Sequence, residues 1–294
     1  MSLAATTARR PRLDPAPYLL SGPALLLYGV LLLVPLIATG LLSLHSFALY
    51  KGIIDVYNLA NYRDIFSDSY FYEIFGRTFR IALLVTVLSA LIGAPEAYIL
   101  NRMRAPWRGL FLLVALGPLL ISVVSRTLGW ALLLGSTGIV NQALMGLDLI
   151  RTPLQFMYSE AGIVIALAHV LVPFMVISVW AALQRLDPQV ENAAISLGAS
   201  PLTVLRRIVL PQAMPGILSG GIITFALAAS AFATPAIIGG RRLKVAATLA
   251  YDEFLNTLNW PLGAAIAILL LAANILIIVG CNRLLERRYA EAFR

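Results

Sequence analysis

Six long apolar stretches, almost free of charged side chains, recur along this chain: Tyr18–Leu44, Phe79–Leu100, Gly109–Trp130, Ala161–Leu183, Gly216–Gly239 and Leu262–Asn282. Roughly 20 apolar residues, rising about 1.5 Å each, cross a hydrocarbon core about 30 Å thick. Lipid offers no hydrogen bonds, so the backbone must satisfy itself, and stretches without polar alternation cannot form a barrel wall. Each stretch therefore predicts a helix. Only 12% of the 294 residues are charged and 60% are hydrophobic, against about 25% charged in a soluble domain. The expectation is an all-α integral membrane protein of about six transmembrane helices. One domain would cover residues 18–282, between cytoplasmic tails at 1–17 and 283–294.

A net charge of +8 would suit nucleic acid, but the basic residues sit in short segments between apolar stretches rather than along one polar face. Membrane topology accounts for them, and no nucleic-acid partner is expected. Thirteen Lys and Arg residues fall on the side of the two termini and eight on the other, which places both termini in the cytoplasm. The cluster Arg241, Arg242 and Lys244 runs against this bias. Arg9, Arg10 and Arg12 ahead of the first stretch resemble the start of a signal peptide. That stretch exceeds the roughly 7 to 15 residues of a signal core, so it is read as a retained span. With one cysteine, Cys281, and two histidines, His45 and His169, neither a disulfide nor a metal site is expected. No catalytic nucleophile with an evident base can be assembled.

Gln184 to Pro215 is too polar to insert and reads as two short cytoplasmic helices. Asp187 before Pro188 is an N-cap followed by proline at the first helical position, and Glu191 adds negative charge near the positive dipole end. Gly198 gives the chain a place to bend. Ser200 before Pro201 repeats the cap, opening a second helix that runs through Arg206 and Arg207 until Pro211 stops it.

The run Asn192-Ala193-Ala194, then Gly198, then Ile208-Val209-Leu210-Pro211 resembles the EAA loop of binding-protein-dependent ABC importer permeases. That pattern is Glu-Ala-Ala, three residues, Gly, nine residues, Ile, one residue, Leu-Pro, and every spacing matches. One departure is clear: the Glu position holds Asn192, with a carboxylate one residue earlier at Glu191. The resemblance implies a coupling helix, Ala193 and Ala194 permitting close approach, that docks on a nucleotide-binding subunit. Asn192 would then offer a neutral hydrogen bond, and Glu191 a carboxylate for a charged partner. Leu171–Val176, Leu197–Ser200 (with Ala199), Ala233-Thr234-Pro235, Gly239-Gly240 and Asn259–Ala265 resemble the spermidine/putrescine-type branch.

What this resemblance implies is the type I ABC importer permease fold in a bacterial inner membrane, with the pathway formed for a polyamine or related organic cation. An amino-acid derivative or an opine-like compound is the alternative cargo. Implied partners are a second permease subunit, like or unlike, ABC ATPase subunits and an external solute-binding protein, with lipid around them. The chain has no phosphate-binding G-x-x-x-x-G-K-[S/T] loop, so it is expected to be non-catalytic, ATP and Mg residing on the ATPase.

Ionisable groups at membrane depth are costly and each carries two readings. Arg126 lies 17 positions after Gly109 and is read either as an outer-interface anchor beside Trp130 or as part of the pathway mouth. Glu96 is either a pathway carboxylate or the partner of a nearby arginine. His169 is a neutral packing histidine or a solute contact. Pro173, Thr234 and Pro235 complete the candidate pathway set. Gly216 and Gly220, at GxxxG spacing, predict close helix packing, including against a second permease subunit. The rival from another class is a self-sufficient secondary transporter, which would need coupling-ion carboxylates or broken helices near the midplane.

Overall fold

The computed structural model describes residues 16–185 and 187–289, so the expected tails lie outside it up to residue 15 and from residue 290 onward. Among the described residues, six helical stretches are long and apolar enough to cross a membrane. In chain order α1 (Ala16–Leu42) leads to a hairpin of β1 (His45–Ala48) and β2 (Gly52–Tyr57), then α2 (Ala60–Ser67) and α3 (Ser69–Arg102). There follow α4 (Ala105–Leu120), α5 (Val123–Leu134), α6 (Ile139–Gly146) and α7 (Glu160–Leu183). The remainder is α8 (Pro188–Ser196), α9 (Pro201–Val204), α10 (Leu210–Ala229), α11 (Ala246–Leu255) and α12 (Trp260–Tyr289).

The centre of the bundle is α7, apolar on every face, which is the pattern of a helix enclosed by others. It packs between α3 and α10. On the α10 side the approach is backbone to backbone. A Cβ added at Gly216 would lie 2.7 Å from the Ser178 carbonyl, and one at Gly220 would lie 3.0 Å from the Ser178 Cβ. The GxxxG face is thus consumed within this chain, against α7, rather than offered to a second subunit. On the α3 side, Gly93 meets Val172 and Met175, while Ile81 and Ile163 share a cluster one level away. Helices α3 and α7 therefore run parallel. Helix α1 packs along α12 and leaves its apolar window unburied by the rest of the chain.

Four of the spans differ from the expectation. Helix α3 begins at Ser69 rather than Phe79, because Asp68 caps it by accepting from Tyr70 N at 2.8 Å and the polar turn after it, with Glu73 and Arg77, continues the helix outside lipid. The third span is not one helix. Its chain extends at Ile121–Ser122, three residues after Pro118, and resumes as α5. The fifth span starts far earlier than Gly216. Pro211 does not stop the second loop helix, because a π-helical turn over Leu205–Val209 widens the helix ahead of the proline ring. Helicity is therefore unbroken over Pro201–Ala229. At its other end it lapses after Ala229 and returns only as a π-helical turn over Pro235–Gly239. Helix α12 runs to Tyr289, past Asn282, into the stretch assigned to the tail.

Candidate functional site

The segment after α7 builds a helical elbow. Asp187 Oδ1 accepts from Gln189 N at 2.9 Å, and Ser200 Oγ accepts from Thr203 N at 3.3 Å, so both N-caps form. Helix α8 ends with the Gly198 N–H donating to the Ile195 carbonyl (2.9 Å) and the Ala199 N–H to the Ala194 carbonyl (3.0 Å). This is a Schellman closure. It requires Gly198 at φ +86°, a conformation that costs an L-residue about 1–2 kcal/mol.

The elbow has two faces. On one, Ala194, Ala199 and Ile208 pack against a cluster that includes Leu100, Val179, Leu183, Val204 and Val209. On the other, Val190, Asn192, Ala193, Ile195 and Leu197 are exposed, Leu197 at 88%. Leu210 is also exposed, whereas Pro211 lines a cleft of about 490 Å³ with Arg185, Gln212 and Ser219 at the same end. Apolar groups presented beyond the chain's own packing mark a surface for contact with a protein or a membrane.

The displaced carboxylate does not join that surface. Glu191 is buried and ion-paired with Arg102, the last residue of α3, whose guanidinium stacks over Tyr98 at 4.7 Å. The expectation that Glu191 is left for a charged group on the ATPase is therefore corrected: its partner is internal, and it ties α8 to α3. Sequence reasoning counted Arg102 only as a topological cation. The available signal was its place as the basic residue in the last turn of α3.

The candidate pathway residues fall into two groups. Glu96, His169 and Pro173 line one cleft of about 520 Å³ between α3, α4, α5 and α7, together with Pro118 and Trp130. Trp130 donates its indole N–H to His169 Nδ1 at 3.1 Å, with the rings edge to face. His169 is thus hydrogen-bonded but exposed to the cleft rather than packed away. Glu96 pairs with no arginine among the described residues, which removes that alternative.

Arg126, Thr127, Thr234 and Pro235 gather at the two helix breaks. Arg126 is not an interfacial anchor. It is buried, and its guanidinium donates to the Pro118 carbonyl and, at 3.5 Å, to that of Ile121, satisfying the open C-terminus of α4. The single-helix geometry had placed it at the far edge. The break folds it back instead. Thr127 and Thr234 hydroxyls lie 3.2 Å apart, joining α5 to the turn that begins at Pro235.

The opposite end of the bundle carries a polar network. Glu160, at the start of α7, pairs with Arg77 at 3.6 Å and with Arg80, and Arg77 donates to the Lys244 carbonyl at 3.1 Å. Lys244 bonds Asp252 at 2.7 Å, which holds its ammonium pKa above the ordinary lysine value.

Comparison with known proteins places these features. Residues 20–291 match the family model described as binding-protein-dependent transport system inner membrane component. The spermidine/putrescine transport system permease protein PotB of Escherichia coli (strain K12) is 30% identical over 236 residues, covering 79% of this chain and 86% of that protein. The sulfate transport system permease protein CysT of Salmonella typhimurium (strain LT2) is 28% identical over 231 residues, covering 78% and 81%. Among solved structures, a bacterial alginate ABC transporter in complex with an alginate pentasaccharide-bound periplasmic protein superposes with a TM-score of 0.74. It is 20% identical and covers 94% of this chain and 95% of that one. At that identity the likeness concerns the fold.

Proposed function

The chain belongs to the family of binding-protein-dependent transport system inner membrane components, and from that membership we propose the cargo, the partners and the orientation of an ATP-driven importer's multi-pass membrane subunit. The subunit itself is non-catalytic. Its cargo is a polyamine or a related organic cation, a reading supported by the PotB relatives, although a sulfate permease also matches at 28% identity. It works with a second permease subunit, two copies of an ATPase that bind ATP and Mg, and an external solute-binding protein. Both termini and the elbow at 184–215 face the cytoplasm.

The observation that carries this reading is the elbow. Its exposed apolar face fits a groove on a nucleotide-binding subunit, and its buried Glu191 joins that face to α3. Closure of the ATPases on ATP would push the elbow and, through α3 and the continuous Pro201–Ala229 helix, turn the pathway from inward-facing to outward-facing. The secondary-transporter rival gains two broken helices from the structure. One of those breaks is capped by Arg126, and among the described residues lining the cleft beside it Glu96 is the one carboxylate.

The test is uptake of radiolabelled spermidine and putrescine by cells lacking this chain, with and without complementation. Uptake restored by the chain, and lost when the ATPase subunit is inactivated, supports the proposal. Uptake that survives loss of the ATPase contradicts it.

A further inference from the structure

Resting on the reading just given, the geometry points to a binding subsite for a protonated amine inside this chain, in the cleft between α3, α4, α5 and α7, with Glu96 as its counter-charge. The cleft, about 520 Å³ in volume, is lined mostly by apolar side chains, and Glu96 is the one carboxylate on its wall. Glu96 is half-buried and has no ion pair or hydrogen bond among the described residues. Two cations border this region and hold other partners, Arg126 keeping a charge that is felt at His169. Arg102, six residues further along α3, is taken by Glu191, and Arg126 by the carbonyls of α4. A carboxylate at membrane depth without a partner is costly and marks a place where a ligand supplies the missing charge.

The prolines add acceptors. Pro118 lies inside α4 and Pro173 inside α7, and both line the cleft. A proline has no N–H, so the carbonyl four residues before it loses its helical donor. Those carbonyls belong to Val114 and His169, which line the same cleft.

The far end is aromatic. Because the indole N–H of Trp130 is committed to His169 Nδ1, what Trp130 has left to offer a cation is its π face. The parallel register of α3 and α7 sets His169 level with Leu88, eight residues and about 12 Å above Glu96. A carboxylate below, a mostly apolar wall and an aromatic pair above suit an elongated alkyl chain that carries protonated amines, as an alkyl di- or polyammonium does. An anion would meet Glu96, and a neutral sugar would need a balanced supply of donors.

Putrescine and spermidine are the probes. Uptake of each is measured in cells lacking the chain and complemented with wild type, Glu96→Gln or Glu96→Asp at equal membrane abundance. The maximal rate should fall at least tenfold with Glu96→Gln and recover in part with Glu96→Asp. The half-saturating concentration, set by the external binding protein, should stay constant. Equal maximal rates for wild type and Glu96→Gln would overturn the subsite and leave the importer reading standing. No amine uptake by the wild type would overturn the cargo reading and the subsite with it. Ile92→Cys, on the wall of the same cleft with Glu96 intact and in a Cys281→Ser background, gives a second readout: spermidine should slow modification by a positively charged methanethiosulfonate, and absence of protection counts against the subsite.

Discussion

Separating Arg102 from Glu191 should uncouple the elbow from the bundle. The Glu191 side chain is 11% exposed and that of Arg102 is 50% exposed. Fully exposed pairs contribute about 0–1 kcal/mol, whereas removing one partner of a fully buried pair costs about 3–5 kcal/mol. A pair with one end buried and the other in water belongs between them, at about 1–2 kcal/mol. Since about 1.4 kcal/mol is tenfold, Arg102→Met and Glu191→Gln should each lower uptake roughly tenfold while ATP hydrolysis by the assembled complex continues. The double variant Arg102→Met/Glu191→Gln should be no worse than either single one, because both remove the same strut. The assay is amine uptake per ATP hydrolysed in reconstituted vesicles. Singles that transport normally, or a double that loses about a hundredfold, would refute the reasoning.

Three further outcomes follow from the same structure. Nothing lies within 4 Å of a Cβ at Gly198, so the penalty there is conformational: Gly198→Asn should retain more uptake than Gly198→Ala, and Gly198→Val least, because Asn tolerates positive φ and β-branched residues do not. Arg126→Met leaves the α4 carbonyls without their donor, at a cost of about 1–3 kcal/mol. It should lower the Tm of the detergent-purified complex, with Arg126→Lys intermediate. At Gly216 even a methyl group would sit 2.7 Å from Ala182 Cβ, so Gly216→Leu should sharply reduce the folded protein recovered from membranes, measured by size-exclusion chromatography.

Where the sequence spoke clearly, the signal was local. Asp187-Pro188 and Ser200-Pro201 are caps whose chemistry is complete within four residues, and both form. The positive φ of Gly198 is likewise written into a helix end with no alternative closure. Long-range consequences were not legible. A glutamate shifted one position around α8 turns from the outer face toward α3, a rotation of about 100° that spacing alone does not reveal without knowing where α3 ends. Pro118 carries too weak a signal to show that the chain extends at Ile121–Ser122, and that extension is what moves Arg126 from the edge of a span to a buried cap. Pro211 read as a stop because the π-helical turn that accommodates it has no sequence signature.

The central claim is that the elbow grips a nucleotide-driven subunit from the cytoplasm, and the most direct measurement is a thiol crosslink from its exposed face. Leu197→Cys or Ala193→Cys, in a Cys281→Ser background and in the assembled complex, should form an adduct with the ATPase subunit whose yield changes when ATP is added. Labelling of Leu197→Cys by an impermeant reagent from outside the cell, with no ATPase adduct, would contradict the account.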